Sequence, residues 1–225
     1  MITTLDKNTA LVVIDLQQGI VKMNTAHPAA AIVVQSARLV AAFRRAGLPI
    51  VVVNVVPFGA PSGKVRTQAP GMPKDEAAEA GRAEAGHAPK SEGRGRPGGE
   101  GRQQSSGARE AMEAAGFFTI VSELGSRPED IHITKKTWNA FYDTDLEQRL
   151  RALGVTNIVL CGIATSIGVE GTARAAYERG FNVSFVEDAM TDMLASAHEN
   201  SLNAIFPRLG ELDTTDAVIE LLEKR

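Results

Sequence analysis

Asp15, Lys135 and the turn Gly162–Gly168 are the residues whose types and spacing could do chemistry. Asp15 closes the apolar run Ala10-Leu11-Val12-Val13-Ile14, and Lys135 closes Asp130-Ile131-His132-Ile133-Thr134. The turn Gly162-Ile163-Ala164-Thr165-Ser166-Ile167-Gly168 follows the apolar Val159-Leu160-Cys161 and leads into a helical pattern. A carboxylate beside an ammonium is a proton-transfer pair. The lysine can hold the aspartate ionised, or can itself lose basicity if desolvated. A strand, a tight turn and a helix start in that order present backbone N–H groups without internal partners, which favours an anion. Each feature alone has a plainer reading: an Asp after a strand often caps a turn, and a Lys in Lys135-Lys136 is commonly solvated.

These residues can meet only if the elements that carry them are neighbours. Ala10–Asp15 and Pro49–Val56 are continuous apolar runs, as expected of parallel strands buried on both faces. Between them, from about Pro28 to Ala46, Ile32, Val33, Ala37, Val40 and Phe43 recur at helical spacing, and Gly47 ends the pattern. Strand, helix and strand form a βαβ unit. Later strands are expected at Asp130–Lys135, Thr156–Cys161, Phe181–Glu187 and a short Glu211–Thr214. Helices are expected at Leu146–Leu153 (capped by Thr144 or Asp145), Ile167–Arg179, Ala195–Leu209 and Thr215–Lys224. Another short helix is expected to begin at Ala111 and run into Phe117–Val121. The alternation predicts an α/β fold: one three-layer α/β/α domain over residues 1–225, with a doubly wound, mostly parallel sheet of about six strands. Strands of such a sheet bring their carboxyl ends together, and ligands bind there.

One stretch breaks the pattern. Residues 81–107 hold eight of the 21 glycines, interleaved with Arg, Glu, Ser and Pro. Such a composition buries too little apolar surface to offset its ordering entropy. A long flexible loop or insertion is expected at about 58–109, with a short helix around 75–85. The rest of the composition is that of a globular protein, 44% hydrophobic and 23% charged. A net charge of -3 argues against nucleic acid or a membrane surface as partner. A single cysteine excludes an internal disulfide framework. No signal-like amino terminus and no run of membrane-spanning length is present, so the expected location is cytoplasmic.

In combination, three motifs strongly resemble the isochorismatase-like hydrolase superfamily. They are Leu11–Gln17; Lys135 with Ala140-Phe141 and Thr144-Asp145-Leu146; and Gly162–Val169 with Thr172-Ala173-Arg174. The match covers residues 9–57 and 130–220 in the same order, leaving the glycine-rich middle outside. The resemblance implies a cofactor-independent hydrolase acting on a small molecule, and a homo-oligomer. Asp15 takes the place of the catalytic aspartate and Lys135 that of the catalytic lysine. Ile163–Ala164 matches a bond that is often a non-proline cis peptide in this family. That geometry would aim the Ala164 N–H at substrate and, with the Gly168 N–H, make an oxyanion hole. Trp138, Phe141 and Tyr142 could wall the pocket. Relatives of the nicotinamidase branch bind a metal through an Asp and two His after the second strand; here that region reads Asn54-Val-Val-Pro-Phe-Gly, so no metal is expected.

Most relatives carry a nucleophilic cysteine where this chain has Gly168. Cys161 lies seven residues earlier, at a strand end, and is expected to pack into the sheet. A glycine at that position is also what the true isochorismatases of the superfamily look like. They hydrolyse a vinyl ether: the aspartate protonates it as a general acid, and water adds to the oxocarbenium carbon. By that analogy Asp15 needs a raised pKa, and Lys135 pairs with a substrate carboxylate or orients the acid. The alternative from a different class is a catalytically inactive homologue serving as a binding or scaffold protein. A third reading is amide hydrolysis by water that Asp15 activates.

Overall fold

The computed structural model describes residues 1–60 and 100–224. In chain order the elements are β1 (Thr9–Ile14), α1 (Gln18–Val21), α2 (Ala29–Arg45), β2 (Ile50–Val55), α3 (Glu100–Ala114), β3 (Ile131–Lys135), α4 (Leu146–Ala152), β4 (Asn157–Ile163), α5 (Glu170–Glu178), β5 (Asn182–Thr191), α6 (Ala195–Asn200), β6 (Glu211–Asp213) and α7 (Thr215–Glu223). The six strands form one sheet in the order β3-β2-β1-β4-β5-β6, and every pair is parallel. The chain winds from β1 out to β3, then returns to place β4 on the other side of β1. The strand order therefore reverses between β1 and β4, the point where an open parallel sheet offers a crevice.

All six residues of β1 are buried, which is why its sequence is apolar rather than alternating. Leu11 and Val13 join the core layer that contains Ile32, Val40 and Phe43 of α2 and Val218 of α7. Ala10, Val12 and Ile14 join the opposite layer, with Leu146 and Leu150 of α4 and Ala173 of α5. Burying such a side chain contributes roughly 1.5–3 kcal/mol, so the centre of the sheet fixes the register of everything at its carboxyl edge. Gly47, at φ 67, ends α2 in the left-handed conformation that glycine adopts without strain. The Arg44 guanidinium then grips both carboxylate oxygens of Asp130, at 3.0 and 2.8 Å, tying the end of α2 to the start of β3.

Several boundaries differ from those read in the sequence. β4 runs on to Ile163 and β5 to Thr191, with a register shift between Leu160 and Gly162; a chain that stays paired while shifting register gives no hydrophobic-period signal. The helix expected at Ile167–Arg179 begins as a π-turn, Thr165–Val169, before α5. The helix expected at Ala195–Leu209 is α6, a π-turn at Ser201–Ile205 and a 3-10 turn at Phe206–Arg208. Thr144 does serve the start of α4, its hydroxyl accepting from Leu146 N at 3.4 Å.

The expected loop at 58–109 lies mostly outside the described residues, as does the short helix at 75–85. Its last part is corrected, because residues 100–109 belong to α3. Few apolar residues do not mean that no helix forms. Glu, Arg, Gln and Ala are good helix formers at exposed positions, and an Arg109–Glu113 pair at 2.8 Å follows the helical i,i+4 spacing.

Gly162 lets β4 close on β1. It pairs with Ile14, has φ 118, and a Cβ there would lie 2.1 Å from the Ile14 carbonyl oxygen. Both the conformation and the backbone contact exclude a side chain. Gly162→Ala is expected to destabilise the protein by more than about 2 kcal/mol, the range of strained backbone positions and overpacked cores. Chemical denaturation would measure this, and a loss under about 0.5 kcal/mol, the level of an ordinary surface change, would contradict it.

Candidate active site

The chain is drawn together at the carboxyl ends of β1, β3 and β4. Asp15 sits immediately after β1 at φ 52, a left-handed conformation that Asp tolerates better than bulkier residues. Lys135, the last residue of β3, reaches past the end of β2 and donates from Nζ to Asp15 Oδ2 at 2.6 Å. A second Nζ donation goes to the Thr137 carbonyl at 3.2 Å. The two side chains are only 2% and 6% exposed, so this is a buried ion pair. Oδ1 of the same carboxylate is buried with no hydrogen-bond partner among the described residues.

Two opposing effects set the protonation of Asp15. Burial disfavours its charged form, while the Lys135 charge and hydrogen bond favour it; burial is the larger, and the pKa is raised from 3.8 to about 6. With Oδ2 held by the ammonium, the added proton belongs on Oδ1.

Gly168 faces this pair. A Cβ on it would lie 3.1 Å from Asp15 Oδ2 and 3.5 Å from Lys135 Nζ. The Ile163–Ala164 bond that leads into its turn is cis. Asp192, buried at the end of β5, accepts at Oδ2 from the Ser166 N–H at 2.7 Å and from its hydroxyl at 2.8 Å. Oδ1 of Asp192 takes the N–H of Met193 at 2.8 Å. Ser166 therefore anchors the turn to β5, and no side-chain cap forms on α5. Thr165 bonds His198 Nδ1 at 2.8 Å, and burial holds that imidazole below its ordinary pKa. On the other flank the buried Gln17 amide donates to the Val55 carbonyl at 3.2 Å and accepts from its N–H at 2.7 Å. That clasp locks the segment after Asp15 to the end of β2.

Of the three aromatic residues expected at the pocket, Tyr142 is half-exposed and Trp138 lies near the turn. Trp138 is half-exposed, and its Cβ lies 3.3 Å from where a Cβ of Gly171 would sit, beside the first turn of α5. Phe141 is a correction. Its buried ring packs on Phe181, 5.8 Å between centroids, with the Arg179 guanidinium 5.2 Å away. Phe181 precedes β5, at the amino end of the sheet, so Phe141 belongs to the core and not to the carboxyl edge. Cys161 is fully buried in the layer beneath α2, and burial pushes its thiol up to about 12, far from a nucleophile's range. Among the described residues no group of three or more His, Cys, Asp or Glu is placed to hold a metal ion. No helix among them is long and apolar enough to cross a membrane.

The arrangement can be compared with known proteins. Residues 9–217 match the Isochorismatase domain family. The chain belongs to this family. An uncharacterized isochorismatase family protein of Escherichia coli O157:H7, YecD, is 36% identical over 217 residues, covering 96% of this chain and 97% of that one. A probable isochorismatase of Pseudomonas chlororaphis is 31% identical over 100 residues, 44% of this chain and 48% of that one. The solved structure of an isochorismatase family protein from Burkholderia thailandensis aligns with a TM-score of 0.74 at 33% identity, covering 99% of this chain and 100% of that one. The matched span runs straight through the glycine-rich middle, which the motif resemblance had left outside. The family is one of hydrolases on a parallel α/β fold.

Gln17, Thr137 and Asp192 were not singled out from the sequence. A polar residue two places beyond a strand-ending Asp is a faint signal for the first; the other two act through a backbone carbonyl and a tertiary contact that no local pattern marks. The buried pair itself yields a test. Lys135→Met removes the charge that opposes burial, so Asp15 should titrate above about 6. Stability at neutral pH should fall by roughly 3–5 kcal/mol, the cost of leaving one member of a buried pair alone. Carboxyl-carbon NMR titration would follow the pKa; a downward shift would contradict the assignment of burial as the stronger effect.

Proposed function

We propose that the protein hydrolyses a small molecule by acid catalysis, without a covalent enzyme intermediate. The observation that carries this reading is the division of labour on one carboxylate: Oδ2 of Asp15 is bound to Lys135, and Oδ1 is buried with no partner among the described residues. A protonated Oδ1 is a general acid, and a pKa of about 6 lies near neutrality, where such an acid combines availability with driving force. Lys135 orients it, being fixed in turn by the Thr137 carbonyl.

The substrate class that fits is an enol ether. Oδ1 delivers its proton to the terminal carbon of the double bond, leaving an oxocarbenium carbon and an ionised Asp15. Water adds to that carbon and gives up a proton, and the hemiketal collapses to a ketone and an alcohol. A net proton is neither gained nor lost, and Asp15 ends the cycle reprotonated. The family match and the relative named a probable isochorismatase support this chemistry. The N–H groups of Ala164 and Gly168 are the proposed anion site.

Turnover of isochorismate and of a panel of small amides by the purified protein tests the proposal. For enol-ether hydrolysis, kcat/KM should be level below pH 6 and fall about tenfold per pH unit above it, because the reactive form is the protonated acid. Amide hydrolysis by Asp15-activated water would rise through the same pH instead. Asp15→Asn should lower kcat/KM by about two to four orders of magnitude, the contribution typical of a positioned acid. Turnover that survives Asp15→Asn unchanged would overturn the site. Absence of any turnover would favour a binding or scaffold role.

A further inference from the structure

Asp15 keeps a left-handed backbone, at φ 52, and a side-chain-bearing residue stays in that region only where its surroundings over-determine it. The chain turns tightly straight after it, the Gln17 N–H donating to the Asp15 carbonyl at 2.8 Å across Leu16. The residues that follow are fastened to a segment from far along the chain. Val121 N–H donates to the Leu16 carbonyl at 3.0 Å, and the N–H groups of Gln18 and Gly19 donate to the carbonyls of Thr119 at 2.8 Å and Phe117 at 3.0 Å. Gln17 and Ile120 face each other across this antiparallel strap. The strap thereby takes up the first two N–H groups of α1, which a helix cannot satisfy by itself. Phe117 pins it. The ring fills the space that a side chain at Gly19 would need, since a Cβ there would lie 2.1 Å from Phe117 Cδ2 and 2.2 Å from Cγ. It also packs on the core layer that holds Leu16 and Ile20. The end of α3 fixes where this ring starts from: Phe117 N–H donates to the Met112 carbonyl and Gly116 N–H to that of Glu113, both at 2.9 Å, the paired bonds of a Schellman termination.

We propose that Phe117 is a positioning residue for Asp15: seated on Gly19, it holds the strap 117–121 against the chain that follows Asp15, and so keeps the Asp15 backbone left-handed and its carboxylate on Lys135. Lys135 is the charge that faces this carboxylate. A residue that sets the direction of Asp15 therefore sets both how dry the carboxylate is and how close it lies to its counter-charge. The role is the same whichever reaction the pair performs, so the inference does not rest on enol-ether hydrolysis.

Phe117→Ala tests this, with Phe181→Leu as a control: Phe181 is buried at the amino end of the sheet, so its substitution lowers stability without touching the strap. Carboxyl-carbon NMR follows the titration of Asp15 in both variants. Burial is what raises the Asp15 pKa to about 6, and a carboxylate released towards water titrates lower. Phe117→Ala is expected to lower it by about one pH unit or more, a tenfold loss of proton affinity, and Phe181→Leu to leave it where it is. A smaller change, or one that the control matches, overturns the proposal. If Phe117→Ala does not fold, native-state hydrogen exchange on the wild-type protein decides. The amides of Gln17, Gln18, Gly19 and Val121 are expected to open as one unit, with exchange rates within about tenfold of one another. A Gln17 amide that stays protected more than about tenfold longer than the other three means that the turn after Asp15 holds without the strap, and overturns the proposal. Neither readout needs a substrate. A wild-type protein that fails to hydrolyse an enol ether therefore overturns the proposed function without touching this result.

Discussion

An ammonium and a carboxylate 2.6 Å apart, both nearly sealed from water, are the constraint around which the rest of the structure is arranged. Removing two charges from water costs several kcal/mol per ion, and their attraction offsets this only when geometry and further hydrogen bonds are good. Here the compensation is uneven. Lys135 has a second acceptor in Thr137, whereas Asp15 has one oxygen satisfied and one without a partner among the described residues. The attraction keeps the pair together, and the shortfall on Oδ1 keeps Asp15 close to accepting a proton. A fully satisfied carboxylate would be more stable and too weakly basic to serve as a neutral-pH acid.

Holding that imbalance requires rigid strand ends. The ion pair spans three strands of the sheet, and β2 lies between its members. The Gln17 amide closes on both backbone groups of Val55, and Val56 N bonds the Lys135 carbonyl at 2.8 Å, so the ends of β1, β2 and β3 are fastened in sequence. Across the switch point Gly162 permits contact between the β1 and β4 backbones, and Asp192 ties the turn after β4 to β5. These contacts are mostly side chain to backbone, which sets the position of the chain itself and not merely of a neighbouring residue.

The fold was legible because its signals are local and redundant. Apolar runs such as Ala10–Ile14 have the length and β-branched content of strands buried on both faces, and glycines at 47, 154 and 180 end helices where the left-handed conformation is required. Asp15 and Lys135 were legible through a rule about where strands end, sharpened by a family resemblance. What escaped was anything decided by direction in three dimensions. Phe141 is three residues from Trp138, and nothing local says that one residue lies beside the helix start while the ring of the other turns to Phe181. The start of α3 carries no hydrophobic period, because few of its residues are apolar. The contact between Gly19 and Phe117 joins residues far apart in the chain, and no single-chain pattern encodes it.

The net charge of the pair depends on the proton it carries. With Asp15 ionised, the pair is neutral overall and offers an approaching anion little attraction. With Oδ1 protonated, the same pair has a net positive charge inside a dry, low-dielectric setting, where a unit charge acts far more strongly than at the surface. An anion bound beside it is therefore held more tightly by the protonated form, and by linkage its binding must shift Asp15 further towards that form. On the proposed function, the group that attracts an anionic substrate and the group that protonates it are one titrating unit. A glycine opposite the pair fits that arrangement, since it adds neither a competing charge nor a second group to titrate.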